Sequence, residues 1–327
     1  MKAAMLDRFG GPESFSLADI SAPVAGAGEV LVDVHATALN YADLLQRRGT
    51  YSNAVRPPAV LGMECAGVVR SLGAGVDGWR IGDRVCALVS GGAYAERVCV
   101  PARQLLPVPS AIDLQAAAAL PEAAATVWSN LLDIASLSRT DVLLVHGGSG
   151  GIGSFAIQTA HALQVRVLAT AGTDEKVRKC RELGAERAIS YRQEDFVEVA
   201  RAETAGRGVD VILDNMGAGY LARNIDALAP DGRIAMIGLQ SGRDGQIPLG
   251  KMMGKRASLF TTSLRERSPD AKARIIDGVR HDLWPHLAAG RIRPVVDRVF
   301  SLEHIADAHR YMEQGAHFGK IVVRVDR

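Results

Sequence analysis

Over the first 120 residues the apolar positions come in short runs, EVLVDVHATAL, ECAGVVRSLG, DRVCALV and AERVCVP, each closed by Gly or Pro. Short valine-rich runs punctuated by turn residues predict strands joined by tight turns. The stretch VRSLGAGVDGWRIGDRV, with Gly73, Gly75, Gly78 and Gly82 following Gly67, carries the same pattern to its limit. A small, irregular antiparallel or barrel-like domain is expected. The alanine-rich DLQAAAALPEAAATVWSNLL follows, helix-forming but interrupted by Pro121, and reads as a connection between domains.

From Asp141 the rhythm changes. Strand-like DVLLVHG precedes helix-like GIGSFAIQTAHAL; VRVLATA precedes DEKVRKCREL; RAISY precedes EDFVEVARAE; VDVILDN precedes YLARNIDALA; GRIAMIGL and PLGKMMGKR lead to ASLFTTS. Six short buried strands alternating with helices predict a doubly wound parallel sheet, because parallel neighbours need a crossover helix and bury both faces. The tail from Pro269 offers one long helix (PDAKARIIDGVRHDLWPHLAAG), a strand (VVDRVF), a short helix and a last strand, KIVVRV. It is too short to fold alone and is expected to return to the first domain. The fold class is thus α/β, with a β-rich domain over 1–122 and 270–327 and a Rossmann domain over 123–269.

Composition narrows the partners. The 327 residues are 48% hydrophobic, ample for two cores, and 38 Lys and Arg against 36 Asp and Glu leave a net charge of +2. That balance, with no long basic block, argues against nucleic acid or an anionic membrane surface and favours a small molecule. No apolar run is long enough to span a bilayer, and a cytoplasmic protein is expected. The four cysteines, Cys65, Cys86, Cys99 and Cys180, form no C-x-x-C pair and predict reduced thiols.

The candidate chemistry centres on HGGSGGIG, residues 146–153. Gly148, Gly150 and Gly153 satisfy G-x-G-x-x-G between a strand and a helix. Such glycines permit the tight turn, let the backbone approach a pyrophosphate, and let helix and strand pack closely. No G-K-[ST] closes the run, which excludes a P-loop. Ser149, Gly150, Gly151, Ile152 and Gly153 are candidate phosphate contacts.

An acid at the end of the second strand would hold the ribose 2′-hydroxyl of NAD; here the strand ends at Ala171, Gly172 and Thr173. A glycine, a hydroxyl and Lys176 suit a 2′-phosphate instead, so NADPH is the expected cofactor. Asp174, two residues further on, is the main objection. Tyr191 is a candidate at the same phosphate, with a plain core tyrosine as the alternative. By topology the ribose and nicotinamide should meet Asn215 and Met216, Gly238 and Leu239, and Thr262, Ser263 and Leu264, at the carboxyl ends of the last three strands.

ALNYADLLQRRGTY (38–51), LGMECAGVV (61–69), ALPEAAATVW (119–128), HGGSGGIG (146–153), GVDVILD (208–214) and GKIVVRV (319–325) together resemble the medium-chain dehydrogenase/reductase superfamily. Within it they are most similar to the zeta-crystallin type of NADPH:quinone oxidoreductase, particularly its p53-inducible quinone reductase branch. The resemblance implies a GroES-like first domain, a Rossmann second domain and a homodimer, formed through the ASLFTTS edge.

Zinc-dependent members place a cysteine where this chain has Asn40, and a G-H-E triplet where it has Gly62, Met63 and Glu64. An amide and a thioether are poor zinc ligands, and the four-cysteine lobe of a structural zinc is absent too, so no metal is expected. Without zinc the acceptor must already be electrophilic, a quinone or other activated carbonyl, taking a hydride from the nicotinamide. Tyr51 and Asn40, on the segment that by resemblance lines the substrate side, are the candidate catalytic residues; Tyr51 also borders the cofactor. Glu64 reads as a structural ion pair or an acid behind the site. Alternatives are an enoyl or alkenal reductase of the same superfamily and, from another class, a nucleotide-binding structural or RNA-associated protein.

Overall fold

In the computed structural model, which describes residues 1–51 and 54–326, the chain divides into two compact units. The first joins Met1–Ala125, Ser268–Ala288 and the chain from Pro294 onward; the second joins Thr126–Arg267 and Ala289–Arg293.

The first unit contains β1 (Lys2–Leu6), β2 (Phe15–Asp19), β3 (Glu29–Ala38), β4 (Ala59–Val60), β5 (Glu64–Leu72), β6 (Arg84–Leu88), β7 (Arg97–Pro101) and β8 (Leu105–Pro107). β3 is the EVLVDVHATAL run. Eight of its ten residues are buried, because it is hydrogen-bonded to β5, β7 and the last strand of the chain. Its register against β5 shifts twice, between Leu31 and Val32 and between Val34 and Ala36, and such bulges bend and twist a strand. Val30, Val32, Val34, Leu39, Val69 and Val85 fill the core beneath it.

The second unit contains β9 (Val142–Val145), β10 (Arg166–Ala171), β11 (Arg187–Ser190), β12 (Val209–Asp214), β13 (Leu228–Met236) and β14 (Ser258–Thr261). They form one six-stranded sheet in the order β11-β10-β9-β12-β13-β14, every pair parallel. The chain enters at β9, winds outward to β11, then returns to β12 on the other side. That reversal between β9 and β12 is the switch point at which open α/β sheets bind ligands. The apolar runs read from the sequence are these strands, since Leu144, Leu168, Ile189, Ile212 and Ile234 are buried beneath helices. β13 begins four residues before GRIAMIGL, because Asp231 adopts a left-handed φ of 62° and lets Leu228 pair with Val209 before the register jumps.

β15 (Val296–Ser301) and β16 (Lys320–Arg324) complete the first unit, where β16 lies antiparallel to β3 and parallel to β15. One expectation fails here. The long helix from Pro269 ends at Asp282 and a second begins at Trp284. Pro285 has no N–H to return to the carbonyl four residues back, so the helix breaks beside it. Among the described residues no helix is long and apolar enough to cross a membrane.

Candidate active site

The glycine loop follows β9 in the second unit. Gly147 takes a left-handed φ of 65° to start the turn. A side chain at Gly153 would meet the Gly147 carbonyl oxygen at 2.2 Å, whereas one at Gly150 would meet only that oxygen, at 3.4 Å. Gly153 is therefore fixed by helix–strand packing and Gly150 by an open approach. Gly150 precedes the helix Gly151–Ala162, whose first turn receives no side-chain cap. Its leading N–H groups have no intrahelical partner, and the helix dipole favours an anion there. Ser149, Gly151 and Ile152 are partly exposed beside them.

At the end of β10, Thr173 caps the helix Asp174–Glu182, its Oγ1 accepting from the Lys176 N–H at 3.3 Å. Asp174 is exposed at the first helical position and its Oδ1 accepts from Gln193 Nε2 at 3.5 Å. Tyr191 is 45% exposed, and a side chain at Gly172 would meet its hydroxyl at 2.4 Å. The phenol therefore lies over the Gly172 turn and not in the core.

The turn after β12 is built by Asp214, which accepts from the Met216 N–H at 2.7 Å and from the Gly217 N–H. Burial pushes this carboxyl up to about 6, against those stabilising backbone bonds. Asn215 stands against Gly147, where a Cβ would meet its Nδ2 at 2.6 Å, and Gly238 stands against the Asn215 backbone. Leu239 is exposed; Ser263 and Leu264 follow Thr262, whose hydroxyl donates to Asn130 Oδ1 at 2.7 Å. These groups thus gather at the carboxyl ends of β9, β10, β12, β13 and β14.

The first unit holds the other constellation. Asn40 caps the helix Tyr41–Arg47 in a capping box with Asp43, whose Oδ2 accepts from the Asn40 N–H at 2.9 Å. Its amide Nδ2 donates to Glu64 Oε1 at 2.9 Å, and its Oδ1 accepts from Lys320 Nζ at 2.7 Å. Lys320 also donates to Glu64 Oε1 at 2.6 Å and to the Leu39 carbonyl at 2.8 Å. Glu64 is wholly buried, with its second oxygen accepting from the Glu122 N–H at 2.9 Å. Glu64 thus takes the structural ion-pair role, and the Asn40 amide is bonded at both of its polar atoms. Met63 is buried in the neighbouring turn.

Burial and the nearby Glu64 carboxylate push the half-buried Glu122 up to about 8. Burial likewise raises Asp43 to about 6. Tyr51 is half-buried just beyond that helix, its N–H donating to the Leu45 carbonyl at 3.2 Å. Among the described residues no group of three His, Cys, Asp or Glu side chains stands together to hold a metal.

Reading the sequence missed Lys320, Glu122 and His146. A lysine opening the apolar run 321–323, just after Gly319, was the available signal for the first. His146 is buried and neutral, pushed down to about 4 chiefly by desolvation. No local pattern marks it, because its partners come from other strands and helices.

Comparisons with known proteins identify the family. Residues 26–110 match the family model of the alcohol dehydrogenase GroES-like domain, and residues 183–323 that of the zinc-binding dehydrogenases. The chain is 33% identical to a 2-haloacrylate reductase of a Burkholderia species, over 98% of each chain. An NAD-dependent alcohol dehydrogenase structure superposes with a TM-score of 0.89 at 32% identity, covering all of both chains. The quinone oxidoreductase of Escherichia coli complexed with NADPH also gives 0.89, at 28% identity, covering 99% of this chain and all of that one. The chain belongs to the medium-chain dehydrogenase/reductase family and is an oxidoreductase.

Proposed function

We propose that this oxidoreductase reduces quinones with NADPH and without zinc. The observation that carries the reading is the Lys320 ammonium, held by the Leu39 carbonyl, Asn40 Oδ1 and Glu64 Oε1. Asn40 and Met63 stand where zinc-dependent relatives place ligands. Here the amide oxygen and the carboxylate are already committed to a monovalent cation, and a dication beside it would be repelled. An acceptor that needs no Lewis acid suits such a site.

NADPH rather than NADH is supported by Gly172, Thr173, Lys176 and Tyr191, which leave no carboxylate at the end of β10 beyond Asp174, itself turned to Gln193. The uncapped first turn Gly151–Gly153, with Ser149 and Gly150, would hold the pyrophosphate; Asn215, Gly238, Leu239, Ser263 and Leu264 would surround the rest. When bound, the reduced nicotinamide supplies the hydride. Tyr51 would place the acceptor ring by stacking and donate from its hydroxyl to the developing oxyanion, and Asn40 would contribute its second amide N–H. The four free thiols fit a cytoplasmic protein. A homodimer through the side of β14 that has no strand partner among the described residues would remove an exposed sheet edge.

The test is an acceptor panel run with NADPH and with NADH, each with and without chelator. Quinone turnover with NADPH, indifferent to chelator and reduced at least tenfold in Tyr51→Ala, is expected. Equal use of NADH would overturn the cofactor assignment. Similarity to a 2-haloacrylate reductase favours a second reading, reduction of an activated alkene; faster turnover of acrylates or enoyl thioesters than of quinones would establish it.

A further inference from the structure

Behind the glycine loop of the second unit runs a buried chain of hydrogen bonds through three side chains assigned above to neither cofactor nor acceptor. The Gly147 N–H donates to Thr170 Oγ1 at 3.2 Å, and the Gly148 N–H to the Thr170 carbonyl at 2.9 Å. Thr170 Oγ1 lies 3.2 Å from His146 Nδ1, and His146 Nε2 lies 2.7 Å from Asn224 Oδ1. Thr170, His146 and Asn224 are all buried. Phe196 and Tyr220 meet the imidazole edge to face and fix its plane.

The directions of these bonds follow from donor counting. An amide oxygen only accepts, so Nε2 carries the imidazole proton. The ring is neutral, so Nδ1 keeps a lone pair and accepts from the Thr170 hydroxyl. That hydroxyl, having spent its hydrogen, presents lone pairs to Gly147. Asn224 lies on the helix Ala218–Ala227, which begins at the turn that Asp214 braces. Asp214 in turn builds the turn that sets Asn215 against Gly147. The chain therefore runs from the glycine loop through β10 to the helix Ala218–Ala227, and the turn before that helix packs back against the loop.

We infer that His146 and Thr170 are positioning residues that lock the glycine loop to the turn after β12 and thereby set the affinity for the dinucleotide. The inference rests on the reading of that loop as the NADPH site. A loop already held in its binding geometry gives up less freedom on binding, and its N–H groups stay aimed at the phosphates.

The test measures NADPH affinity by titration calorimetry on the whole protein and on two substitutions of one residue. Thr170→Val keeps the shape and loses the hydroxyl; Thr170→Ser keeps the hydroxyl. The Val variant is expected to bind NADPH at least tenfold more weakly, with a matching rise in KM for NADPH and faster amide exchange at Gly147 and Gly217. The Ser variant should stay within threefold of the unaltered protein. Binding within twofold in the Val variant, or equal loss in both, overturns the inference. An unaltered protein with no affinity for NADPH would instead overturn the reading of the loop itself. The ¹⁵N shifts of His146 need no variant: a proton on Nε2 is expected at neutral pH, and a proton on Nδ1 would reverse the chain and overturn it.

Discussion

In the first unit a buried ammonium, Lys320, is tied to a buried carboxylate, Glu64, with the Asn40 amide bridging them; in the second a buried imidazole, His146, is kept neutral between a hydroxyl and an amide. Both networks brace the segment beside a candidate site. The charged one must be complete, because removing one partner strands a charge where water cannot reach it, whereas the neutral one fails bond by bond. Glu122, whose N–H donates to Glu64, and His146 titrate with opposite signs. Burial raises the acid and lowers the base, so these two groups lose their contributions to stability toward opposite ends of the pH scale.

The largest break in that comparison is Lys320→Met, which leaves Glu64 buried without its cation. Denaturant unfolding should show a loss of about 3–5 kcal/mol, and adding Glu64→Gln should restore much of it, since a neutral amide needs no counter-charge. A loss below about 1 kcal/mol would mean that the pair behaves as a surface bridge.

Next come the two pH dependences. Glu122, raised from 4.5 to about 8, keeps its proton in the folded protein while the unfolded chain releases it. Its contribution is full below about 4.5 and is lost as pH rises through 8. Glu122→Gln should remove this slope, on the order of a few kcal/mol, from a series of unfolding curves between pH 5 and 8. His146, lowered from 6.5 to about 4, does the reverse: its contribution is present above 6.5 and lost as pH falls through 4. His146→Gln should flatten the acid limb by about 2–3 kcal/mol while leaving the alkaline one. Identical pH profiles for the two variants would erase the contrast.

What the sequence could and could not reveal follows the same division. The second unit is legible because its information is local: a strand such as VLLV, a glycine turn and a helix lie within about 20 residues, so period and punctuation suffice to predict a doubly wound parallel sheet. The first unit is legible as a list of strands and not as a site. Lys320 and Glu64 are 256 residues apart in the chain, and only the pairing of β3 with both β16 and β5 brings them together. His146 and Asn224, 78 apart, join only through tertiary packing, so a motif reading that found HGGSGGIG passed over its first residue. The helix break beside Pro285 was written in the sequence, and the amphipathic pattern running through it overrode the signal.

The smallest expected effect bears on a residue that both readings claim. Thr173 was singled out as a contact of the 2′-phosphate, and its Oγ1 caps a helix. The roles are compatible, because the cap uses a lone pair and leaves the hydroxyl hydrogen free to donate. Thr173→Ala should therefore cost about 1 kcal/mol of stability through the lost cap. It should also weaken NADPH by roughly five- to tenfold, through one lost bond to a charged oxygen, with NADH affinity unchanged. Parallel thermal unfolding and cofactor titrations separate the two effects. A stability loss with an unaltered NADPH to NADH ratio would make Thr173 a helix cap alone and pass the discrimination to Lys176 and Tyr191.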